Sequence, residues 1–292
     1  MPGLLGLSAV TLLGAGTQGT RLAFMWSRLG RPVYLVDKNP TQLIRARQEI
    51  EQLRTNTPSL AEPTQWGEVI CSPANDLTAS LSKSWLVVEC LPESLALKRS
   101  IMQQLGDQAG PGTIVASNSS SYDIVELMHG LKTKHPSNFV SLHSYWPPET
   151  PAIEIMESTE TNSKIISLLM EQTKAHGFDP FHVRRPSTGY IYNRIWAAIK
   201  RETLLALSEG VATPAEIDCI FKSVLKTLKG PCEQMDIVGL DVVLDIEKHY
   251  AELRPGLPEE PRKLLQEMIA QGKLGVKSGT GFFEHGTERK RA

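Results

Sequence analysis

Two polar residues stand out because each sits where an apolar strand should continue. His143 ends the run Phe139-Val140-Ser141-Leu142-His143, and eleven residues later Glu154 interrupts Ile153-Glu154-Ile155. Burying an unpaired carboxylate is costly, so Glu154 needs a donor, and an imidazole N–H is one. A His–Glu pair leaves one ring nitrogen free as a base and stabilises the imidazolium once it has taken a proton. Oxidation of an alcohol needs that chemistry: the hydroxyl proton goes to histidine while hydride goes to an acceptor. A lone histidine more often makes a structural hydrogen bond; the paired acid and the strand end favour the functional reading. His129, His135, His176, His182, His249 and His285 show no such partner in the sequence and are taken as non-catalytic. No His/Cys/Asp/Glu cluster has metal-ligand spacing, so no metal is expected.

Two further segments place polar groups where a plain core would not. Ala116-Ser117-Asn118-Ser119-Ser120-Ser121 follows a strand directly. Ligands of an open α/β sheet lie beyond the carboxyl ends of its strands, so these groups can bond a substrate oxygen. A serine-rich turn capping the next helix is the plainer alternative, above all for Ser120 and Ser121. Asn193, in Gly189-Tyr190-Ile191-Tyr192-Asn193-Arg194, opens a helical stretch. Its amide could hold an alkoxide oxygen, or could simply be a polar residue at a helix start.

The acceptor is legible near the start of the chain. Gly14-Ala15-Gly16-Thr17-Gln18-Gly19 fits G-x-G-x-x-G, between a strand and a helix. The first glycine allows the tight turn, the second lets the backbone approach a pyrophosphate, and the third lets helix and strand pack closely. The diphosphate sits on the free N–H groups of the helix N-terminus. Asp37 ends the second strand, 18 residues after Gly19. A carboxylate there accepts both ribose hydroxyls of NAD and repels a 2′-phosphate, although Lys38 beside it weakens the preference. A solvated turn residue is the alternative for Asp37.

These groups need a scaffold. Strand candidates are residues 9–13, 33–36, 69–71, 85–90, 113–116 and 139–143, several of them apolar on both faces, as a covered parallel sheet requires. Leu22, Met25, Trp26 and Leu29 share one helix face between the first two. Strand–helix–strand order implies parallel pairing with crossovers. Two shorter runs, 153–156 and 181–183, flank a helix over 164–176 that stops at Gly177. After Arg184-Arg185-Pro186-Ser187-Thr188-Gly189 the chain turns helical: 190–210 is a long amphipathic stretch, and Thr213-Pro214-Ala215-Glu216 reads as a helix start. The predicted fold is α/β, a Rossmann-type doubly wound sheet over residues 1–186, then an all-α domain over 187–292.

Composition agrees with a packed globular protein. Of 292 residues 41% are hydrophobic and 22% charged, with a formal net charge of −1. That balance gives no field for nucleic acid or an anionic membrane surface. The basic Arg289-Lys290-Arg291 reads as a solvated terminus. Four cysteines without CxxC spacing suggest a reducing compartment, hence the cytoplasm. The apolar N-terminus runs straight into the glycine turn and reads as a first strand rather than a signal peptide. No apolar run approaches a membrane span.

Taken in order, these motifs resemble the 3-hydroxyacyl-CoA dehydrogenase family over nearly the whole chain. The resemblance rests on the glycine turn, Asp37, Val87-Val88-Glu89-Cys90 with Glu93 and Lys98, Ala116-Ser117-Asn118-Ser119-Ser120, His143, Glu154 and Gly189-Tyr190-Ile191-Tyr192-Asn193-Arg194. Gly230-Pro231-Cys232-Glu233, Val238-Gly239-Leu240-Asp241 and Leu274-Gly275-Val276-Lys277-Ser278-Gly279-Thr280-Gly281-Phe282-Phe283 complete it. It implies NAD as cofactor, His143 as general base oriented by Glu154, and Ser117 and Asn193 holding the reacting oxygen. Glu93 and Lys98 would contact the nicotinamide side. Gly14, Gly16, Thr17, Gln18, Gly19, Asp37 and Asn118 join them as cofactor-binding positions. A homodimer through the helical domain is implied as well.

Two departures from the family bear on the substrate. Ser144-Tyr145-Trp146-Pro147-Pro148 has Trp146 where the family usually has asparagine, and the loop to Glu154 looks one residue shorter. The family's lysine-rich hairpin that grips CoA looks truncated: residues 41–66 hold only Arg45, Arg47 and Arg54 as cations. The expected activity is interconversion of a small 3-hydroxy and 3-oxo compound that need not be a CoA thioester, such as a sugar acid or a secondary-metabolism intermediate. A true short-chain 3-hydroxyacyl-CoA dehydrogenase and a catalytically silent, crystallin-like NAD-binding protein are the alternatives.

Overall fold

The computed structural model describes residues 9–60 and 65–285. The first eight residues and the basic 289–291 run lie outside them. The chain divides into two units, Met1–Ile191 and Tyr192–Ala292.

In the first unit β1 (Ala9–Leu13), α1 (Thr17–Trp26), β2 (Val33–Asp37), α2 (Pro40–Asn56), β3 (Val69–Pro73), α3 (Leu77–Leu81) and β4 (Ser84–Glu89) come first. Then follow α4 (Leu95–Gln108), β5 (Ile114–Ser117), α5 (Ile124–Met128), β6 (Phe139–Trp146), β7 (Thr150–Glu157), α6 (Ser163–Ala175) and β8 (Asp179–Val183). The strands form one sheet in the order β3-β2-β1-β4-β5-β6-β7-β8. β1 to β6 run parallel. β7 turns back antiparallel to β6, and β8 pairs parallel with β7.

The apolar strands have two buried faces because each face has its own core. Val10, Leu12, Leu86, Val88, Ile114 and Ala116 pack with Leu22, Trp26 and Leu169 on one side. The alternate residues Leu13, Val87 and Val115 pack with Met102, Leu105 and Ile124 on the other. A two-residue period sends neighbours to opposite faces, so continuous apolar runs are what a sheet covered on both sides selects. Local signals set the helix limits. Asn39 caps α2 by accepting the Thr41 N–H at 3.0 Å, with Pro40 first in the helix. Gly177, just past α6, has φ +85°, the left-handed conformation that glycine adopts without strain.

The second unit holds α7 (Tyr192–Ser208), α8 (Pro214–Leu225), α9 (Pro231–Val238), α10 (Leu240–Leu253) and α11 (Glu260–Ala270). Thr213 and Glu216 cap α8 reciprocally. Leu204, Ile217, Met235, Leu240, Val243 and Leu265 form the unit's core. Buried Asp236 anchors the last turns by accepting the N–H groups of Phe282 and Phe283 and a contact from His285 Nε2 at 2.8 Å. The architecture is the doubly wound sheet followed by an all-α unit that the sequence predicts.

Candidate active site

All parallel strands end on one edge of the sheet, and the predicted groups of the first unit lie there. Gly14 follows β1 with φ +110°, and a Cβ on it would lie 2.7 Å from the Cys90 carbonyl oxygen. A Cβ on Gly19 would lie 1.8 Å from the Gly14 oxygen, so helix and turn meet backbone to backbone. Gly16 differs: a Cβ there would meet nothing within 4 Å. The protein's own packing does not need this glycine bare, which leaves the space above it open to a pyrophosphate. Gly16 is also the N-cap of α1, which has no side-chain cap and no acid in its first turn, so its dipole is left for an external anion. The turn therefore fits a dinucleotide.

Asp37, at the end of β2, accepts the Ala15 N–H on Oδ2 at 2.7 Å and the Asn39 N–H on Oδ1 at 2.8 Å. Each oxygen keeps one acceptor position, enough for two ribose hydroxyls. Gln18, inside the glycine motif, donates from Nε2 to the Tyr145 carbonyl at 2.6 Å. The helix that opens the cofactor turn thus holds the strand that carries His143.

Beneath the edge lies a buried ionic network. Glu89, fully buried at the end of β4, accepts from Lys98 Nζ at 2.8 Å, from the Leu91 N–H at 2.6 Å and from Ser117 Oγ at 2.8 Å. Lys98, on α4, also meets Glu93 at 3.1 Å. Burial alone would discharge this lysine, but Glu89 and Glu93 outweigh it and raise its pKa. Burial likewise favours a neutral Glu93, but Lys98, the Ser119 hydroxyl and the Ser121 N–H hold its carboxyl below the usual range. The Ser117 hydroxyl proton thus points to Glu89, and its oxygen accepts the Ser119 N–H at 3.2 Å.

His143 and Glu154 are direct partners in the antiparallel β6–β7 register. His143 is 5% and Glu154 2% exposed. The imidazole stacks on Tyr190 at 4.9 Å and 24°, and meets the edge of Tyr145 at 4.8 Å. Its Nδ1 lies 3.4 Å from the Asn118 carbonyl. Burial holds the imidazole pKa below its ordinary value, against Asn118, Glu154 and Glu93, which all favour the proton. Glu154 accepts from the Tyr145 hydroxyl on Oε1 and from the Ile191 N–H on Oε2 at 2.7 Å. The Asn118 side-chain oxygen accepts both the N–H and the hydroxyl of Ser144 at 2.8 Å, tying β5 to β6.

Asn193 lies in the first turn of α7, in the second unit. Sequence reasoning passed over Tyr145, which reads as core beside a histidine. It passed over Glu89 as a buried acid too, although a carboxylate inside Trp85-Leu86-Val87-Val88-Glu89 gives the same signal that picked out Glu154. Among the described residues no group of three His, Cys, Asp or Glu could hold a metal ion, and no helix is long and apolar enough to cross a membrane.

Residues 9–185 match the 3-hydroxyacyl-CoA dehydrogenase NAD binding domain, and residues 189–285 match the C-terminal domain of the same family. The chain is 29% identical to the mitochondrial hydroxyacyl-coenzyme A dehydrogenase of Mus musculus, over 94% of this chain and 90% of that protein. It is 26% identical to the 5-formyl-3-hydroxy-2-methylpyridine 4-carboxylate 5-dehydrogenase of Mesorhizobium japonicum, over 97% and 92% respectively. Among solved structures, a diketoreductase acting on dicarbonyl compounds superposes with a TM-score of 0.78 and 29% identity, over 96% of this chain and 99% of that one. With both domains matched in order and a turn shaped for the dinucleotide, the chain belongs to the 3-hydroxyacyl-CoA dehydrogenase family and is an NAD-dependent dehydrogenase acting on a CH–OH group.

Proposed function

We propose that this enzyme interconverts a small 3-hydroxy compound and its 3-oxo counterpart, with His143 as general base and Glu154 as the acid that supports it. The observation that carries this reading is the pairing of His143 with Glu154 across the β6–β7 register, at the sheet edge that holds the glycine turn. Bound NAD supplies the hydride acceptor. Gly14, Gly16, Thr17, Gln18 and Gly19 would hold its diphosphate and Asp37 its adenine ribose, while Glu93, Lys98 and Asn118 would line the nicotinamide side. A proton on Nδ1, which the Asn118 carbonyl 3.4 Å away can accept, is the tautomer this reading assigns to neutral His143, with Nε2 as the proton acceptor. Nε2 takes the substrate hydroxyl proton, and in the reverse direction returns it to the oxygen of the 3-oxo compound. The charge of Glu154 supports the imidazolium in between. Ser117, whose own proton is given to Glu89, is assigned to the reacting hydroxyl as an acceptor through its remaining lone pair, and Asn193 is assigned as the amide donor to the oxygen that reacts.

The substrate is proposed to be something other than a CoA thioester. Of the three arginines in 41–66, Arg54 is occupied with Glu51, Ser27 and the Gly67 carbonyl, and stacks over Trp66. Arg45 and Arg47 are the exposed cations left on α2, few for the phosphate charges of CoA. A homodimer is part of the proposal, since Ile220, Val224 and Leu228 present an exposed apolar row along and just past α8. A cytoplasmic location is supported by four free cysteines.

A second reading, a short-chain 3-hydroxyacyl-CoA dehydrogenase, is favoured by the likeness to the mouse enzyme over 94% of this chain. NADH absorbance separates the two. Saturation by free 3-hydroxy acids, sugar acids or diketones with poor use of acyl-CoA supports the first, and the opposite order supports the second. Loss of about a hundredfold or more of turnover in His143→Ala, with NAD still bound, is expected on either. Unchanged turnover in that variant removes the assigned base.

A further inference from the structure

Tyr145 lies two residues after His143 on β6, where the β6–β7 register shifts between Ser144 and Trp146. Its ring meets the imidazole edge-on at 63°, and its hydroxyl donates to Glu154 Oε1. The other carboxylate oxygen, Oε2, accepts the Ile191 N–H at 2.7 Å. Each oxygen of the acid opposite His143 is therefore also held by a donor of the protein.

We propose that Tyr145 is a positioning residue that fixes the Glu154 carboxylate and sets how strongly it supports a proton on His143. The proposal rests on the reading of His143 as the base. A carboxylate that accepts a phenol hydrogen bond shares its charge with that donor and exerts less pull on a nearby imidazolium. The groups that face the imidazole are Glu154 from β7, Tyr145 from β6 itself, Tyr190 from the segment before α7, the Asn118 carbonyl from the end of β5 and, at longer range, Glu93 before α4. Tyr190 donates its own hydroxyl to the Ser119 carbonyl at 2.8 Å. Tyr145 is thus the facing hydroxyl that this structure turns onto Glu154. Its effect is to keep His143 a neutral base at a pH where a bare imidazole–carboxylate pair would already hold the proton.

The test is Tyr145→Phe, which keeps the ring and removes the donor. Two readouts are needed: the acid limb of kcat/KM for alcohol oxidation, and the His143 imidazole titration by NMR, assigned by its loss in His143→Gln. The expected result is an upward shift of both by about half a pH unit or more. The KM for NAD should stay within about twofold. In a Glu154→Gln background the same substitution should move neither, because the acid it acts through is gone. Glu154→Gln alone should shift the imidazole titration downward, which tests the chain of influence with Tyr145 intact. An unmoved titration in Tyr145→Phe, or an equal shift in both backgrounds, overturns the proposal. The base assignment fails separately: if His143→Ala keeps full turnover the acid limb belongs to another group, while the NMR titration still reports whether Tyr145 acts on His143 through Glu154.

Discussion

The guanidinium of Arg21 lies 4.1 Å from the centre of the Trp146 ring, and its Nη1 donates to the Pro147 carbonyl at 2.7 Å and to Glu149. α1, which follows the glycine turn, thereby clamps the tip of the hairpin that carries His143 and Glu154. Arg21 is 8% exposed, so its bonds are sheltered on its own side even though Glu149 is open to solvent. Arg21→Ala should cost about 2–3 kcal/mol, from a charge-assisted bond to a carbonyl and a stacked cation. The urea midpoint measures this. The kcat/KM should fall by about tenfold, because loosening the clamp lets His143, the proposed base, drift relative to the turn. A variant that loses stability with unchanged kcat/KM would show that the clamp serves the fold alone.

The glycine turn separates two roles that a sequence motif joins. Gly19→Ala drives a methyl into the Gly14 carbonyl, which lies 1.8 Å from the ideal Cβ position. It should destabilise the protein by about 1–3 kcal/mol or more as the backbone shifts. Gly16→Ala meets nothing within 4 Å at an ordinary φ of −69°. It should keep its stability to within about 1 kcal/mol, while NAD affinity measured by calorimetry falls about tenfold or more if the methyl stands where the pyrophosphate approaches. Equal NAD affinity in Gly16→Ala would remove the dinucleotide from that position.

How far the sequence carried can be judged from these residues. The strands were legible because both faces of the sheet are buried, so their apolar runs are continuous. His143 and Glu154 were legible as polar residues breaking such runs. The return of β7 antiparallel to β6 was harder to see. The apolar cores 139–143 and 153–156 look well separated, yet β6 extends through polar Ser144 and aromatic Tyr145 to Trp146, and β7 begins at Thr150. The three residues between leave no room for a crossover, which takes roughly a dozen. Arg21 was invisible because periodicity does not tell an arginine buried against a hairpin from one in solvent. Lys98 was read from the resemblance as a nicotinamide contact, and the carboxylate that holds it, Glu89, became apparent only once β4 and α4 were placed side by side.

That placement gives Lys98 a second, testable weight. Lys98 is 1% exposed and Glu89 fully buried, so Lys98→Met leaves an acid without its cation in the interior. Breaking a buried pair from one side costs about 3–5 kcal/mol, and replacing both charges costs less. Chemical denaturation should therefore show a large loss for Lys98→Met and partial recovery in Lys98→Met with Glu89→Gln. If the lysine serves the cofactor alone, the midpoint will hold while the KM for NAD rises.

Acid should weaken the fold through histidines that are neutral when buried. His176, 2% exposed, packs against Trp26 at 4.6 Å and directs Nδ1 to the Gln172 carbonyl at 2.7 Å. Burial, aided by Arg31 and Arg28, lowers its pKa to about 4 from an ordinary 6.5, although the Gln172 carbonyl pulls the other way. Above pH 6.5 neither the folded nor the unfolded chain protonates this ring, and it adds no pH dependence. Between 6.5 and about 4 the unfolded chain takes up a proton that the folded chain refuses, so stability falls as pH falls. The slope approaches about 1.4 kcal/mol per pH unit for each such group. His143, whose pKa burial also lowers, contributes with the same sign. His176→Phe keeps an aromatic ring against Trp26 and cannot take up a proton, so its urea midpoint should decline less steeply from pH 6.5 to 4.5 than that of the unaltered protein. Parallel curves for the two would place the acid sensitivity in other groups and leave His176 as packing alone.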